Sequence, residues 1–261
     1  MGIVNVTPDS FSDGGKFNSP EEAIRRARNL VAEGAEIIDI GGESTRPGAV
    51  PISWDEEWSR IEPVLRGLSP SVSSTLGGTV PVSVDTYHPE TAERALSLGA
   101  SIINCVYEEP IADMMRICAK NNAELVVPCR LGGEFTGTVP KITGTVPANM
   151  GTVPLYLDPM IGFGTTREED LEILQTIPEL AKRGRVLIGA SRKRIVKRLT
   201  GEKVSGKDLA GNLTIAVWAA LNGASVVRVH DVGETVQALK VLSALRGGAL
   251  LPEVWGAILN R

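Results

Sequence analysis

Eight short apolar runs, separated by stretches with the periodicity of amphipathic helices, restrict the possible folds of this chain more than any other feature. The run at residues 37–40, Ile-Ile-Asp-Ile, is typical of a parallel strand buried on both faces. Eight strand–helix units within 261 residues predict one domain over residues 1–261, a closed (β/α)8 TIM barrel, with an open doubly wound sheet as the alternative. The predicted strands are residues 3–6, 36–40, 80–84, 101–106, 124–128, 155–157, 185–188 and 225–229.

Several of the intervening helices have recognisable ends. Ser19 is expected to cap a helix that begins with Pro20, and residues 166–169 have the spacing of a capping box. We also interpret Asp231 as a helix cap and His88, which precedes a proline, as a histidine of a surface loop. Helices with such ends between buried strands support the repeating strand–helix plan.

One interval interrupts this plan between the fifth and sixth strands. Within residues 131–154 the tetrapeptide Gly-Thr-Val-Pro occurs three times at a spacing of seven residues. Because proline lacks a backbone N–H and breaks a helix interior, a regular helix is not expected there. We therefore predict that the fifth helix of the barrel is replaced by a loop built from Gly-Thr-Val-Pro repeats.

The charge balance and the cysteine count exclude several classes of partner. With 27 basic and 31 acidic residues and a formal net charge of −4, the chain does not have the basic footprint of a sequence-independent nucleic-acid binder. No apolar stretch approaches the roughly 18 residues of a membrane span, and the polar residues within the first ten positions lead us to expect no signal peptide. Three cysteines without a CxxC spacing predict reduced thiols. We expect a cytoplasmic protein with small-molecule substrates, no nucleic-acid partner and no membrane partner.

Polar residues lie at or just after the carboxyl ends of six of the predicted strands, at the end of the barrel where chemistry is expected. They are Asn5 at the first strand, Asp85 at the third, Asn104 at the fourth, Asp158 at the sixth, Ser191 and Lys193 at the seventh, and Arg228 and His230 at the eighth. A single residue of this kind would be interpreted as structural, but so many at one mouth indicate a functional site. The glycine-rich segment after the second strand adds Arg46, whose guanidinium suits an anion.

The chemistry of these residues divides the predicted site into two parts. Acceptor oxygens and an amide donor suit a flat, nitrogen-rich ring, because carboxylates matched to ring N–H groups reject analogues that lack them. The ring-binding part comprises Asp85, Asn104 and Asp158. The diphosphate-binding part comprises Asn5, Arg228 and His230, and Lys193 suits either part. Without a cluster of cysteine and histidine ligands, Mg²⁺ that arrives with the diphosphate is the expected metal.

Two longer segments resemble the signatures of a known enzyme family. Residues 1–15, MGIVNVTPDSFSDGG, and residues 38–48, IDIGGESTRPG, are similar to the first and second signatures of the dihydropteroate synthases. The motifs Ser-Val-Asp-Thr, Ile-Asn, Leu-Asp-Pro, Ser-Arg-Lys and Arg-Val-His-Asp follow in the order found in that family. The resemblance extends from residue 1 to about residue 245.

This resemblance implies a reaction as well as a TIM barrel. The family condenses 6-hydroxymethyl-7,8-dihydropterin diphosphate with p-aminobenzoate, which gives 7,8-dihydropteroate and diphosphate in folate biosynthesis. The step is SN1-like, because departure of diphosphate leaves a cation that is delocalised into the pterin ring. The resemblance also implies a homodimer and competition between sulfonamide drugs and p-aminobenzoate.

The resemblance assigns roles to individual residues of this sequence. The pterin-binding residues would be Asp85, Asn104, Asp158 and Lys193. Diphosphate and Mg²⁺ would be held by Asn5, Arg228 and His230, with Asn5 as the metal ligand. The p-aminobenzoate site would be shaped by Thr45, Arg46, Phe163 and Ser191. Loop closure would add Asp13, so the catalytic set would be Asp85, Asp158, Lys193 and Asp13.

Several positions depart from the pattern of the family. Cys105 stands where the family usually has Asp, Met160 where it favours Gly, and Thr165 where it has Lys. The fifth strand ends in residues 127–130, Val-Pro-Cys-Arg, where the family has a Met-His pair. Two alternatives therefore stay open, a catalytically impaired pterin-binding paralogue and a methyltetrahydrofolate:corrinoid methyltransferase on a related barrel. The cationic motif at residues 191–193 favours the synthase, since the methyltransferase has no diphosphate to bind.

Overall fold

Eight parallel strands form one sheet in which neighbours follow the order of the chain. The structure is a computed structural model and describes residues 1–7, 19–44, 48–68, 80–129, 153–202, 204 and 207–247. The strands are β1 (Gly2–Asn5), β2 (Ile38–Gly41), β3 (Val82–Asp85), β4 (Ile102–Asn104), β5 (Glu124–Pro128), β6 (Leu155–Asp158), β7 (Arg185–Ile188) and β8 (Val226–Val227). Past the end of β8, Val229 forms a parallel bridge with Gly2, and its carbonyl accepts the Ile3 N–H at 3.1 Å. This bridge closes the sheet into the predicted barrel, so the open doubly wound alternative is wrong.

The helices described in the structure surround the sheet. They are α1 (Pro20–Ala32), α2 (Trp54–Leu68), α3 (Pro89–Ser97), α4 (Ile111–Asn121), α5 (Arg167–Ala181), α6 (Arg194–Thr200), α7 (Leu209–Leu221) and α8 (Val232–Leu245). Two helices, α6 and α7, lie between β7 and β8. The loop predicted in place of the fifth helix falls almost wholly on residues 130–152, which lie outside the described residues.

The strand predictions agree with the structure to within a few residues. Residues 124–128 and 185–188 are confirmed at both ends as β5 and β7. The eighth strand is shorter than residues 225–229, because only Val226 and Val227 have register partners in β7, while Val229 bridges to Gly2 of β1. Strand identity was therefore predictable, whereas strand ends depend on which neighbour each residue meets.

The predicted helix ends have mixed outcomes. Thr166 and Glu169 form the predicted capping box at the start of α5. Asp231 does precede α8, but its carboxylate makes no capping hydrogen bond and instead accepts from Nη2 of Arg192 at 2.8 Å. His88 is not a surface histidine, because its ring packs 4.2 Å from that of Tyr87 and its side chain is only 17% exposed. At both positions a charged partner that is distant in the sequence decides the contact of the side chain: Arg192 for Asp231, and Glu43, whose Oε2 lies 3.2 Å from Nε2, for His88.

Alternation along the strands explains where the polar site lies. An apolar layer inside the barrel comprises Ile102, Val126, Tyr156, Leu187 and Val226. Side chains two positions apart on a strand face the same side of the sheet. Two positions after Ile102, Tyr156 and Val226, toward the carboxyl end, the inward-facing residues are therefore Asn104, Asp158 and Arg228. The larger apolar cluster packs between the outer face of the sheet and the helices. The polar groups at the carboxyl end therefore lie directly next to an apolar layer inside the barrel.

Close packing of α6 against α7 generates a stability prediction. A Cβ at Gly211 would lie well inside van der Waals distance of Cγ1 of buried Val196, whose χ1 angle is restricted. Alanine favours a helix over glycine, yet Gly211→Ala should lower the free energy of unfolding by about 1–3 kcal/mol because of this overlap. The matched variant is Gly233→Ala in α8, where a Cβ would be 3.7 Å from Cγ of Glu33.

That control should be neutral or stabilising by up to about 1 kcal/mol, as expected for an unobstructed Gly→Ala change in a helix. Urea unfolding of both variants and the parent makes the comparison. A Gly211→Ala variant as stable as Gly233→Ala would contradict the packing described here.

Candidate active site

A guanidinium bound to two carboxylates occupies the carboxyl end of the barrel. Arg228, just beyond β8, donates from Nε to Oδ2 of Asp39 at 2.6 Å and from Nη2 to Oδ2 of Asp85 at 2.6 Å. Asn104 donates from Nδ2 to the same Asp39 oxygen at 3.3 Å. The structure therefore joins three predicted site residues in one hydrogen-bonded network: Asp85 of β3, Asn104 of β4 and Arg228 just beyond β8.

Burial governs the protonation of this network. Desolvation raises the pKa of Asp85 to about 7, although the charge of Arg228 acts in the opposite direction. Burial alone would lower the pKa of Arg228, but Asp39 and Asp85 outweigh it and hold that pKa above its usual range. Arg228 therefore stays charged, while Asp85 is able to change protonation near neutral pH.

Three acceptor oxygens in this network have no hydrogen-bond partner within the described part of the chain. They are Oδ1 of Asp39, Oδ1 of Asp85 and Oδ1 of Asn104, and all three are buried. A buried acceptor without a donor costs about 1–3 kcal/mol, so native proteins rarely keep several together without a ligand or water to satisfy them. The arrangement is suited to a ligand that presents several N–H donors.

Asp39 was missed by the sequence predictions as a site residue. It lies inside the apolar run of β2, and its side chain is 0% exposed. The signal was available, because a carboxylate between two isoleucines on a buried strand needs a partner. Its partner, Arg228, lies 189 positions away in the sequence and could not be inferred from local pattern.

Asp158 and Lys193 form a second charged group at the same end of the barrel. Burial raises the pKa of Asp158, while Lys193 opposes that shift and the Met160 N–H donates to Oδ1 at 2.8 Å. Burial lowers the pKa of Lys193 to about 8. Nζ of Lys193 donates to the Ile161 carbonyl at 2.6 Å and lies 4.2 Å from the ring centroid of Phe163. The structure thus brings together three of the predicted site residues, Asp158, Lys193 and Phe163.

Ser191 and His230 form a third group, between the ends of β7 and β8. Oγ of Ser191 is 3.1 Å from Nδ1 of His230 and accepts the backbone N–H of His230 at 3.3 Å. Arg26 donates to the His230 carbonyl at 2.7 Å, which fixes the backbone of this turn. Neutral and cationic donors at this edge suit an anion.

Asn5 ends β1 on the same side of the barrel, with Gly41 between it and Asp85. A Cβ at Gly41 would be 3.5 Å from Cβ of Asp85 and 3.9 Å from Oδ1 of Asn5, so this glycine leaves the space between them open. The remaining predicted residues, Asp13, Thr45 and Arg46, lie outside the described residues.

The site does not coincide with the cavity at the other end of the barrel. That cavity has a volume of about 420 Å³ and is lined by residues at the amino ends of the strands, such as Ile37, Ile102 and Val226. The charged groups and the unsatisfied oxygens lie at the carboxyl end, where barrels of this kind carry their chemistry.

Comparisons with known proteins agree with this geometry. Residues 1–138 and 142–230 match the family described as pterin binding enzyme. The dihydropteroate synthase of Staphylococcus haemolyticus is 37% identical over 262 residues, with 94% of each chain covered. The Xanthomonas albilineans dihydropteroate synthase with 4-aminobenzoic acid superposes with a TM-score of 0.80 at 36% identity, covering 94% of this chain and 92% of that one. The Clostridium difficile enzyme in the presence of pteroic acid gives 0.78 at 35% identity, covering 94% and 95%.

Replacement of Arg228 should show how far the two buried carboxylates lower the free energy of unfolding when they have no counter-ion. Arg228→Met leaves Asp39 and Asp85 without their cation, so the free energy of unfolding should fall by about 3–5 kcal/mol. The pKa of Asp85 should then rise above its present value of about 7. A higher pKa of Asp85 means that the folded variant keeps a proton that the unfolded chain has already lost, so its stability continues to fall as the pH rises. The loss of unfolding free energy relative to the parent should therefore grow as the pH increases above about 7.

Urea unfolding at three pH values between about 6 and 9 checks this. Arg185→Met is the matched control, since Arg185 pairs with Glu124 at the opposite end of the barrel and both side chains are about one-third exposed. Its deficit should be about 1 kcal/mol or less and constant over that range. If the deficit of Arg228→Met is the same at all three pH values, the pKa of Asp85 does not depend on Arg228, and the prediction is wrong.

Proposed function

The chain belongs to the dihydropteroate synthases, within the pterin-binding enzymes, and from this membership and the site geometry we infer its reaction. It joins p-aminobenzoate to 6-hydroxymethyl-7,8-dihydropterin diphosphate and releases 7,8-dihydropteroate and diphosphate. The relatives compared above are synthases, which disfavours the methyltransferase alternative.

The unsatisfied oxygens of Asp39, Asp85 and Asn104 are the observation that carries this proposal. They lie together next to the apolar layer of the barrel interior and accept hydrogen bonds, so they match the amino and ring N–H groups of a pterin. A diphosphate is excluded from this position, because it would bring more acceptors and negative charge to buried carboxylates. We assign this part of the site to the pterin ring.

Charge balance in the same network favours the chemical step. When Asp85 is ionised, the two carboxylates of Asp39 and Asp85 outnumber the one guanidinium and leave a net negative charge beside the ring. Breaking the bond between the pterin methylene carbon and the diphosphate oxygen sends the electron pair to the leaving anion and leaves a cation delocalised into the ring. A fixed negative charge stabilises that cation in a site of low dielectric constant. The amine of p-aminobenzoate then forms the new C–N bond and loses one proton.

Lys193 is proposed to hold the ring from its other side. Its ammonium lies beside Asp158 and Phe163, and with a pKa of about 8 it is largely protonated at neutral pH. Phe163 and Ser191 are proposed to border the p-aminobenzoate site, for which the sequence also nominates Thr45 and Arg46. The arrangement positions a weak nucleophile rather than activating it, which suits capture of a reactive cation.

The leaving group is proposed to bind at the edge formed by Asn5, Ser191 and His230, with Arg228 adding positive charge from the pterin side. Mg²⁺ fits this edge as an ion that arrives with diphosphate, because Asn5 offers one amide oxygen. The described residues contain no group of three or more His, Cys, Asp or Glu side chains that could hold a metal. When bound, Mg²⁺ neutralises charge on the departing diphosphate.

The outer faces of α7 and α8 support a homodimer. Helix α7 has no charged residue, and its Trp218 and Leu221 are 45% and 39% exposed. Val241 and Leu245 of the adjoining α8 are 60% and 80% exposed. Such a combined apolar surface is expected to be covered by a second copy of the chain.

A cytoplasmic location is also proposed, because all three cysteines are buried free thiols. No helix among the described residues has the length and hydropathy to cross a membrane.

A coupled assay of diphosphate release tests the reaction. With the pterin diphosphate and Mg²⁺, release should require p-aminobenzoate and be matched by dihydropteroate, and a sulfonamide should compete with p-aminobenzoate. Asp85→Asn should lower kcat/KM by about 100-fold or more, because a neutral amide replaces the charge next to the forming cation. Glu124→Gln, at the opposite end of the barrel, is the matched control and should retain parental rates.

Pterin binding without turnover would instead identify the impaired paralogue. Release that does not depend on p-aminobenzoate would exclude the synthase reaction.

The dimer proposal predicts that Trp218→Glu produces a monomer, because a buried carboxylate at the centre of an apolar interface lacks a partner. Sedimentation velocity at several concentrations measures this. Leu199→Glu changes a 48% exposed leucine on α6, outside the proposed face, and should remain dimeric. A monomeric parent, or a dimeric Trp218→Glu variant, would contradict the assignment.

A further inference from the structure

The loop between β6 and α5 contacts Lys193 with three consecutive residues. The Ile161 carbonyl accepts a hydrogen bond from Nζ of Lys193 at 2.6 Å, and the centroid of the Phe163 ring lies 4.2 Å from the same nitrogen. Between them, a Cβ at Gly162 would be 3.0 Å from Cδ of Lys193, so the backbone of this glycine packs directly against the lysine side chain. The position of the ammonium group therefore depends on the conformation of this loop.

The backbone of the loop has neither helix nor strand geometry. Met160, Gly162 and Gly164 have φ angles of +65°, +76° and +75°, so left-handed residues alternate with others. The Phe163 N–H donates to the Met160 carbonyl at 3.1 Å and closes one turn. Because no regular element fixes such a backbone, its orientation depends on hydrogen bonds to side chains outside the turn.

Asp170, in the first turn of α5, supplies these hydrogen bonds. Its Oδ1 atom accepts the Gly162 N–H at 2.8 Å and the Thr165 hydroxyl at 2.6 Å. The oxygen of that hydroxyl also accepts the Gly162 N–H, at 2.9 Å. Asp170 is only 1% exposed, so water competes little for these contacts.

The Gly162 N–H and the Ile161 carbonyl belong to the same peptide unit. Because a trans peptide is planar, its N–H and its C=O point in opposite directions. Asp170, bound on the N–H side, therefore directs the carbonyl toward Lys193 on the other side. Hydrogen bonds in such a chain polarise one another, which strengthens the carbonyl as an acceptor.

We propose that Asp170 is a positioning residue for Lys193, which it holds in place through the peptide between Ile161 and Gly162. This inference rests on the proposed function, which places Lys193 against the pterin ring. An ammonium has three N–H donors, so the bond to the Ile161 carbonyl leaves two for the ring and for Asp158. Burial lowers the pKa of Lys193, whereas the charges of Asp158 and Asp170 act in the opposite direction and favour the ammonium form.

A double-mutant cycle tests this link through the binding of 6-hydroxymethyl-7,8-dihydropterin, the substrate without its diphosphate. Asp170→Ala should weaken binding about fivefold or more, because the ammonium loses its fixed position. Lys193→Met should weaken binding at least as much. In the Lys193→Met background, Asp170→Ala should change the affinity by less than about twofold, since the group through which it acts is gone. Calorimetric titration measures the parent, both single variants and the double variant.

Two further variants separate positioning from a loss of helix stability. Asp170→Asn keeps an oxygen that accepts from Gly162 and Thr165, so its affinity should stay within about twofold of the parent. Glu169→Ala is the matched control, because Glu169 precedes Asp170 in the same helical turn and accepts the Thr166 N–H at 2.6 Å in the capping box. It weakens the start of the same helix and should bind the pterin like the parent.

Hydrogen exchange provides a readout without any ligand. Asp170→Ala should increase amide exchange in the peptide covering residues 159–166, whereas Asp170→Asn should not. Thr165→Val removes one of the two acceptors of the Gly162 N–H and should give a smaller increase. This variant keeps the test available if Asp170→Ala folds poorly.

Equal effects of Asp170→Ala in the parent and in Lys193→Met would overturn the proposal. So would weak binding by Asp170→Asn, or unchanged exchange over residues 159–166 in Asp170→Ala. If the parent does not bind the pterin, the proposed function fails, and with it the role of Lys193 toward the ring. The exchange result then decides separately whether Asp170 fixes the loop.

Discussion

The ion pairs of Arg228 with Asp39 and Asp85 are the interaction on which the active end of this barrel depends. They connect the chain just beyond β8 with β2 and β3 across the barrel interior, next to the Gly2–Val229 bridge that closes the sheet. Without the guanidinium, two buried carboxylates would face each other; without the carboxylates, a buried cation would have no counter-charge. The same ions border the proposed ring-binding surface, so the contacts that hold the chain after β8 against β2 and β3 also assemble the proposed site.

The sequence predicted the members of this site better than their contacts. Their positions at the ends of the third, fourth and sixth predicted strands placed Asp85, Asn104 and Asp158 at the mouth of the barrel, and the structure puts them at the ends of β3, β4 and β6. The position of Arg228 between two acids was not predictable, because its partners lie 143 and 189 residues away. His88 was misassigned for the same reason: its residue type and the following proline suggested a surface loop, whereas Glu43 holds it below the surface. Periodicity specifies the face of a strand, but an ion pair depends on the whole chain.

The departures from the family pattern have local physical explanations. Met160 adopts φ +65°, a left-handed conformation that costs a non-glycine residue roughly 1–2 kcal/mol, which accounts for the family's preference for glycine there. Thr165, in place of lysine, donates to Oδ1 of Asp170 at 2.6 Å and accepts the Gly162 N–H at 2.9 Å. Burial raises the pKa of Cys105 to about 12, so a neutral thiol occupies a position where the family has an acid. None of these changes removes a group that contacts the proposed pterin position.

The division of the site between strands and loops matches the order of events in the proposed reaction. The acceptors proposed for the pterin ring are fixed by the sheet, so they exist before any substrate arrives and need little reorganisation when the cation forms. Two residues proposed for p-aminobenzoate, Phe163 and Ser191, instead lie beyond the ends of β6 and β7. A short-lived cation requires that its nucleophile be in place when the bond to diphosphate breaks, because water is a competing nucleophile. Groups for the amine that lie beyond the strand ends, beside a rigid ring site, meet that requirement, since they can align the amine without disturbing the charges that stabilise the cation.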